Sequence, residues 1–215
     1  VCGDNLDNNC DGQTDEDCNV QKSETTLGAD KCSDNIPPTN ISLGSTANPG
    51  SGNLYHDQTL FQTTTLGFTL SYNSIDAYNS SLGKGWTHNW NILLFSNTDG
   101  SLGLKQGDGN VTYFRLSNGI YYPEAQSGDT SYIVVNNDNT YTRTLKNNTT
   151  YNFNTSGKLT SIKDRNNNTT TLAYTGDNLT TITDPSGRAI YLTYDSQNKI
   201  TSITEPNNNI YSLTY

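Results

Sequence analysis

Leu159-Thr-Ser-Ile-Lys-Asp164, Leu179-Thr-Thr-Ile-Thr-Asp184 and Ile200-Thr-Ser-Ile-Thr-Glu205 are three copies of one phrase, spaced 20 and then 21 residues apart. Turn residues follow each copy, and each unit closes on Leu-x-Tyr: Leu172-Ala-Tyr174, Leu192-Thr-Tyr194 and Leu213-Thr-Tyr215. A fixed period of this length marks stacked supersecondary units, none of which buries a core alone. The units predict an extended β scaffold whose work is assembly or enclosure rather than catalysis.

Each unit supplies about two strands. Gly157-Lys-Leu-Thr-Ser-Ile-Lys163 reads as one strand, Arg165-Asn-Asn-Asn168 as its turn and Thr169-Thr-Thr-Leu-Ala-Tyr174 as the next. In Asp184-Pro-Ser-Gly187 the proline presets φ and the glycine supplies φ > 0, as a tight turn requires. Leu172 and Tyr174, like Leu192 and Tyr194, stand two apart and share one face of a strand. Leu159 and Ile162 stand three apart and do not. Two explanations are open: a bulge intervenes, or both faces of the ribbon are partly covered.

Upstream, Leu66-Gly-Phe-Thr-Leu-Ser-Tyr72, Asn110-Val-Thr-Tyr-Phe-Arg115 and Ser131-Tyr-Ile-Val-Val135 read as short strands, with turns at Thr98-Asp-Gly100 and Gly107-Asp-Gly-Asn110. No segment sustains a 3.6-residue period, so almost no helix is expected. The Asn35-Ile-Pro-Pro-Thr39 stretch neither continues a helix nor fits a central strand, and it marks a boundary. Three segments result: a Cys- and Asp-rich head over 1–35, a β domain over 36–150 and the repeats over 151–215.

Only 31% of the residues are hydrophobic and mean hydropathy is −0.71, values that border on those of disordered chains. The 32 Thr and 14 Tyr, both strand formers, and the regularly spaced Gly, Asn and Asp argue instead for a turn-dense all-β chain with a thin core. Net charge is −9, and the first 18 residues hold six acids (Asp4, Asp7, Asp11, Asp15, Glu16, Asp17) without a Lys or Arg. No basic surface is available to neutralise phosphates, which excludes nucleic acid as a partner. No apolar run approaches membrane-spanning length. The lack of an initiator Met and of a signal peptide reads as a mature or partial chain.

All four cysteines, Cys2, Cys10, Cys18 and Cys32, fall in the head. An even count in a short acidic segment reads as two disulfides formed in an oxidising, extracellular compartment, with three connectivities open. A zinc site competes, but no Cys-x-x-Cys knuckle is present. Between the cysteines, Asp7, Asn9 and Asp11 stand at positions 1, 3 and 5 of an EF-hand-like loop, with Gly12 at the sharp turn. Gln13 offers a backbone carbonyl and Asp15 follows at position 9; Cys18 replaces the closing Glu, so Glu16 or Asp17 has to supply that carboxylate. Six crowded carboxylates need neutralising before such a loop folds, which points to a structural calcium ion. The oxygen-only donor set disfavours copper.

The repeats resemble the YD repeats of the Rhs and teneurin family, whose pattern is roughly Y-D-x-x-G-R-L-x-x-I-x-D-P-x-G. Tyr194-Asp195 followed by Lys199-Ile-Thr-Ser-Ile203 fits it, as does Leu179 through Arg188. Asn48-Pro-Gly-Ser-Gly-Asn53 and Leu82-Gly-Lys-Gly-Trp-Thr-His-Asn-Trp90 resemble the domain that opens many bacterial Rhs proteins. The head resembles a short metal-binding repeat of secreted bacterial proteins and, more loosely, the calcium repeats of thrombospondins. The resemblance implies a β-ribbon that spirals into a hollow shell, enclosing a toxin or serving adhesion outside the cell.

Other candidates carry less. His88, between Trp86 and Trp90, reads as a packed residue, and no Ser-His-Asp arrangement stands out around it or His56. The Tyr174, Tyr194 and Tyr215 stripe is explained by cross-strand packing. Nine Asn-x-Ser/Thr sequons, among them Asn40, Asn79, Asn110 and Asn178, are close to chance in a chain this rich in Asn, Ser and Thr. The expectation is therefore a non-enzymatic, secreted or surface-bound scaffold: an antiparallel ribbon of YD-repeat hairpins with an open C-terminal strand edge and a disulfide-bonded calcium head. Through that edge it is expected to pair with copies of itself, head to tail, in filaments or a surface layer. The alternatives are the N-terminal part of a toxin-enclosing Rhs shell, and an adhesin binding glycans or partner cells.

Overall fold

The computed structural model of the chain describes residues 45–47 and 51–215. The expected disulfides (Cys2, Cys10, Cys18, Cys32) and calcium loop (Asp7, Asn9, Asp11, Gln13, Asp15, Glu16) lie outside the described residues. Strands β1 (Ser45–Ala47), β2 (Leu54–Gln62) and β3 (Gly67–Asn73) pair in succession. After a two-stranded excursion, β4 (Asn79–Ser80) with β5 (Gly83–Lys84), β6 (Trp86–His88) returns to β3 and completes a four-stranded sheet.

The rest of the chain is one thirteen-stranded antiparallel sheet in which each strand pairs with its sequence neighbours. Its strands are β7 (Leu93–Ser96), β8 (Leu102–Lys105), β9 (Val111–Ser117), β10 (Ile120–Pro123), β11 (Tyr132–Val135), β12 (Tyr141–Thr144) and β13 (Thr150–Phe153). The repeats continue it without a break as β14 (Leu159–Lys163), β15 (Thr169–Thr175), β16 (Asn178–Thr183), β17 (Ala189–Tyr194), β18 (Ile200–Thr204) and β19 (Ile210–Ser212). One short 3-10 turn, Ala125–Ser127, is the only helical piece among the described residues. The all-β, antiparallel ribbon expected from the repeats is what the chain forms.

The three-residue spacing of Leu159 and Ile162 has a definite cause. Pairing of β13 with β14, β15 with β16 and β17 with β18 slips by one residue at the same place in each unit. Phe153 faces Leu159 while Asn152 faces Ser161, so Thr160 is the extra, bulged residue; Thr180 and Thr201 are its counterparts. A bulge inserts one residue and turns spacing three into spacing two, so Leu and Ile come to the same face. Leu179, Ile182, Ile200 and Ile203 are accordingly all buried. Thr160 and Thr180 donate their hydroxyls to the carbonyls of Asn152 (3.0 Å) and Ala173 (3.2 Å), bonding across the disrupted ladder.

The turns explain the abundance of Asn and Asp. In Asp184–Arg188 the first residue's N–H donates to the fifth residue's carbonyl (2.9 Å) and the fourth's N–H to the first's carbonyl (3.0 Å). The same pair of bonds closes 154–158, 164–168, 195–199 and 205–209. The fourth residue is left-handed every time: Gly157, Asn167, Gly187, Asn198 and Asn208, with φ between 60° and 80°. Where the first residue is Asp, its Oδ1 accepts the N–H groups of the third and fifth, as Asp164 does from Asn166 (2.8 Å) and Asn168 (2.9 Å). These bonds, with the Asn168 side chain foremost, hold the Asp164 carboxyl below the usual carboxylate range.

One face of the ribbon is apolar and the other polar. On β17, Ile190 and Leu192 are buried while Tyr191 and Thr193 are exposed. The buried face and the small sheet share a single hydrophobic core, in which Leu66, Phe68, Trp90 and Ile92 meet Leu104, Phe114, Phe153, Leu159 and Ile182. Each fully buried Leu, Ile or Phe contributes about 1.5–3 kcal/mol, so this shared face holds the two sheets together.

Candidate functional site

The ribbon closes on itself. β7 meets the turn that follows β13: the Leu94 N–H donates to the Gly157 carbonyl (2.8 Å), and Leu93 forms an antiparallel bridge with Lys158. The approach is so close that a Cβ on Gly157 would sit 1.8 Å from the Leu94 carbonyl oxygen. The small sheet and its loops occupy the enclosed, apolar side and act as a plug.

Four sets of contacts fix plug to wall. The Asp76 carboxylate accepts from Lys105 Nζ on β8 (2.6 Å), both side chains being at most 10% exposed, and Lys105 lies 4.0 Å over the Tyr78 ring. The Ser81 carbonyl accepts the Ile200 N–H (3.0 Å) and the Tyr215 hydroxyl (3.2 Å), while Lys199 Nζ donates to the Ser80 carbonyl (2.9 Å). Phe61 stacks on Tyr211 at 5.5 Å. At the tip between β2 and β3, the Thr65 hydroxyl donates to Asp184 Oδ2 (2.6 Å) and accepts from Arg188 Nη2 (2.6 Å), and Arg188 Nε donates to the same carboxylate oxygen (2.9 Å).

Asp184 thus has two tasks: it caps its own turn and receives the plug. The Thr65 hydroxyl, then the turn amides and Arg188, hold its carboxyl down to about 2. A carboxyl depressed in the folded state lends stability that is complete above the ordinary value of 3.8 and is lost only as pH falls through about 2. Thr65→Val removes one donor and one acceptor from this clamp and is expected to lower the melting temperature by about 2–6 °C, read by circular dichroism at pH 7. An unchanged melting temperature would show that the clamp does not hold the plug.

The closing tyrosines staple each unit. Tyr174, Tyr194 and Tyr215 donate their hydroxyls to the carbonyls of Leu159 (2.8 Å), Leu179 (2.8 Å) and Ile200 (2.9 Å), each 15 residues back. Burial pushes the Tyr174 hydroxyl up to about 12 and raises Tyr194 further. Tyr174 and Tyr194 also border a cavity of about 440 Å³ between wall and plug, lined by Tyr78, His88, Trp90, Lys158, Asp177 and Lys199 among others. His88 is packed as its place between two tryptophans suggested, stacked on Phe68 at 4.9 Å; its Nδ1 is buried without a hydrogen-bond partner. His56 sits edge-on to Trp86.

The sequence pointed to the repeat residues and missed Thr65, Ser81 and Gly157, whose importance comes from partners far away in the chain. Among the described residues no helix is long and apolar enough to cross a membrane.

Two family models match the chain. Residues 44–114, the plug and the first strands of the wall, match a domain of unknown function (DUF6531), and residues 130–215 match the family described as Teneurin YD-shell. No curated protein matches it. A plug of the first kind running directly into a coiled YD ribbon of the second places this chain in the YD-repeat, Rhs-like family of β-shell proteins.

Proposed function

We propose that the chain is a structural protein that forms the sealed end of a β-shell wall outside the cell, the ribbon supplying wall and the small sheet closing its axis. The single observation that carries this reading is the closure at Leu94 and Gly157 around a docked apolar plug. A wall built this way needs no catalytic group: Asp164, Asp184 and Asp195 are engaged as turn caps and Asp177 is paired with Lys158. In this reading the chain is no enzyme, and what the shell encloses is another polypeptide segment, such as a toxin. Negative-stain electron microscopy of the purified chain tests it, with discrete compact particles expected.

A second reading is favoured by the edge of β19, which pairs on one side with β18 and leaves Ile210 64% exposed. An open edge of this kind templates strand addition, so a second copy pairing there would give head-to-tail filaments. Regular filaments on the same grids would establish this reading and displace the first. Glycan or cell adhesion would use the polar outer face of the same wall.

The head is proposed to bind one structural calcium ion through Asp7, Asn9, Asp11, Gln13, Asp15 and Glu16, with Cys2, Cys10, Cys18 and Cys32 in two disulfides. Calorimetric titration of the metal-stripped chain with calcium is expected to show one site, and Asp11→Ala to weaken it at least tenfold, since calcium affinity follows the number of charged ligands. Heat of binding unchanged by that substitution would remove the loop from consideration.

A further inference from the structure

The cavity between plug and wall holds one group that the scaffold does not use. The His88 ring is 3% exposed, stacks on Phe68 of β3 and has an Nδ1 buried without a partner. The titratable and charged groups lining the cavity with it are Lys158, Asp177, Tyr174, Tyr194 and Lys199 from the wall and Tyr78 from the plug. Asp177, the one carboxylate among them, is already paired with Lys158 at 2.5 Å. Lys199 Nζ is bound to the neutral oxygens of Asn79 and Ser80. A proton on His88 therefore finds no free carboxylate among the groups that line the cavity.

We infer that His88 is an acid-sensitive latch: protonation of its imidazole makes the docked seam unfavourable and releases the plug from the wall. The inference requires the docking of plug against wall, not that the wall encloses anything. An unpaired buried charge is relieved by solvation, and the segment 79–81, which carries the Lys199, Ile200 and Tyr215 contacts, is the boundary that would yield to admit water. Burial pushes the imidazole down to about 3, against an ordinary value of 6.5. The neutral form is the docked form, so docking is at full strength above 6.5 and weakens steadily as pH falls toward 3. The Asp184 clamp, held near 2, stays ionised over most of that window, so the transition is not that clamp's own.

Trp86 and Trp90 are the chain's two tryptophans, both flank His88 and both belong to the plug, so their fluorescence reports its position. The full chain, titrated from pH 7.5 to 3, is expected to show a fluorescence transition while the far-ultraviolet dichroism of the wall persists. His88→Phe, which keeps the stack on Phe68, is expected to lower the midpoint by at least one pH unit. His56→Gln is expected to leave it in place. A wild-type midpoint in His88→Phe, a shift produced by His56→Gln, or simultaneous loss of the dichroism would each overturn the latch. If His88→Phe does not fold, the proton resonance of the His88 ring in the wild-type chain decides. Titration together with the fluorescence transition supports the proposal; titration near 6.5 with the plug still docked overturns it.

Discussion

Gly157→Asn is expected to destabilise the protein by about 3–6 kcal/mol, while Gly187→Asn changes stability by less than about 1 kcal/mol. Both glycines are fourth residues of the same turn, with φ of 76° and 80°, and Asn occupies that place in Asn167, Asn198 and Asn208. Backbone strain is therefore equal in the two variants and small. The space around them differs. Nothing lies within 4 Å of a Cβ on Gly187, whereas on Gly157 it would overlap the Leu94 carbonyl, a backbone group with little freedom to yield. Relief requires parting β7 from the turn, which breaks the Leu94–Gly157 hydrogen bond and the Leu93–Lys158 bridge, about 1 kcal/mol each. It also opens the core at Leu94 and Leu159, which are 4% and 0% exposed. Denaturant unfolding of both variants measures the difference, and equal midpoints would show that the closure contributes nothing.

Deleting Tyr191 is expected to cost at least about 3 kcal/mol, far more than deleting Thr180. Ile190 and Leu192 stand two apart on an unbulged stretch of β17 and are 0% and 4% exposed. Without Tyr191 they become neighbours, and one of them turns to the outer face and carries its strand neighbours with it. Deleting Thr180 instead removes the bulge: Leu179 and Ile182 come to stand two apart on a regular ladder and both stay on the buried face. What is lost is the hydroxyl bond to the Ala173 carbonyl, worth about 1 kcal/mol or less. Thermal unfolding of the two variants separates these outcomes, and equal melting temperatures would mean that the bulge does not align Leu179 with Ile182.

The repeats made much of this fold legible. Their period, the Leu-x-Tyr endings and the turn residues are local features, and local hydrogen bonds answer them: Asp164 and Asp184 cap turns, and Tyr174 and Tyr194 reach back 15 residues. The spacing of Leu159 and Ile162 left two explanations open because a one-residue bulge has no composition of its own; only the pairing with Asn152 and Phe153 identifies Thr160 as the extra residue. The closure was not legible at all. Gly157 and Gly187 are interchangeable by local pattern, and what separates them is contact with Leu94, a strand on the far side of the coil. Thr65 and Asp184 meet across 119 residues, and neither stands in a motif that announces the other. The head, with its cysteines and acidic loop, is legible only as chemistry awaiting the calcium titration.

A ribbon in which every strand pairs with its sequence neighbours also dictates an order of events during synthesis. Loop closure between adjacent strands is short and fast, so each hairpin forms soon after its second strand leaves the ribosome, at low entropic cost. The plug is made before the wall and waits with its share of the core unburied. Each later hairpin then finds a ready surface on which to lie, and the long-range closure of Leu94 with Gly157 comes after its partners are in register. Nascent chains stopped just before Gly157 should therefore expose apolar surface that chains stopped after Tyr215 have covered, which makes the interval between those two points the stage at which a chaperone would be needed most.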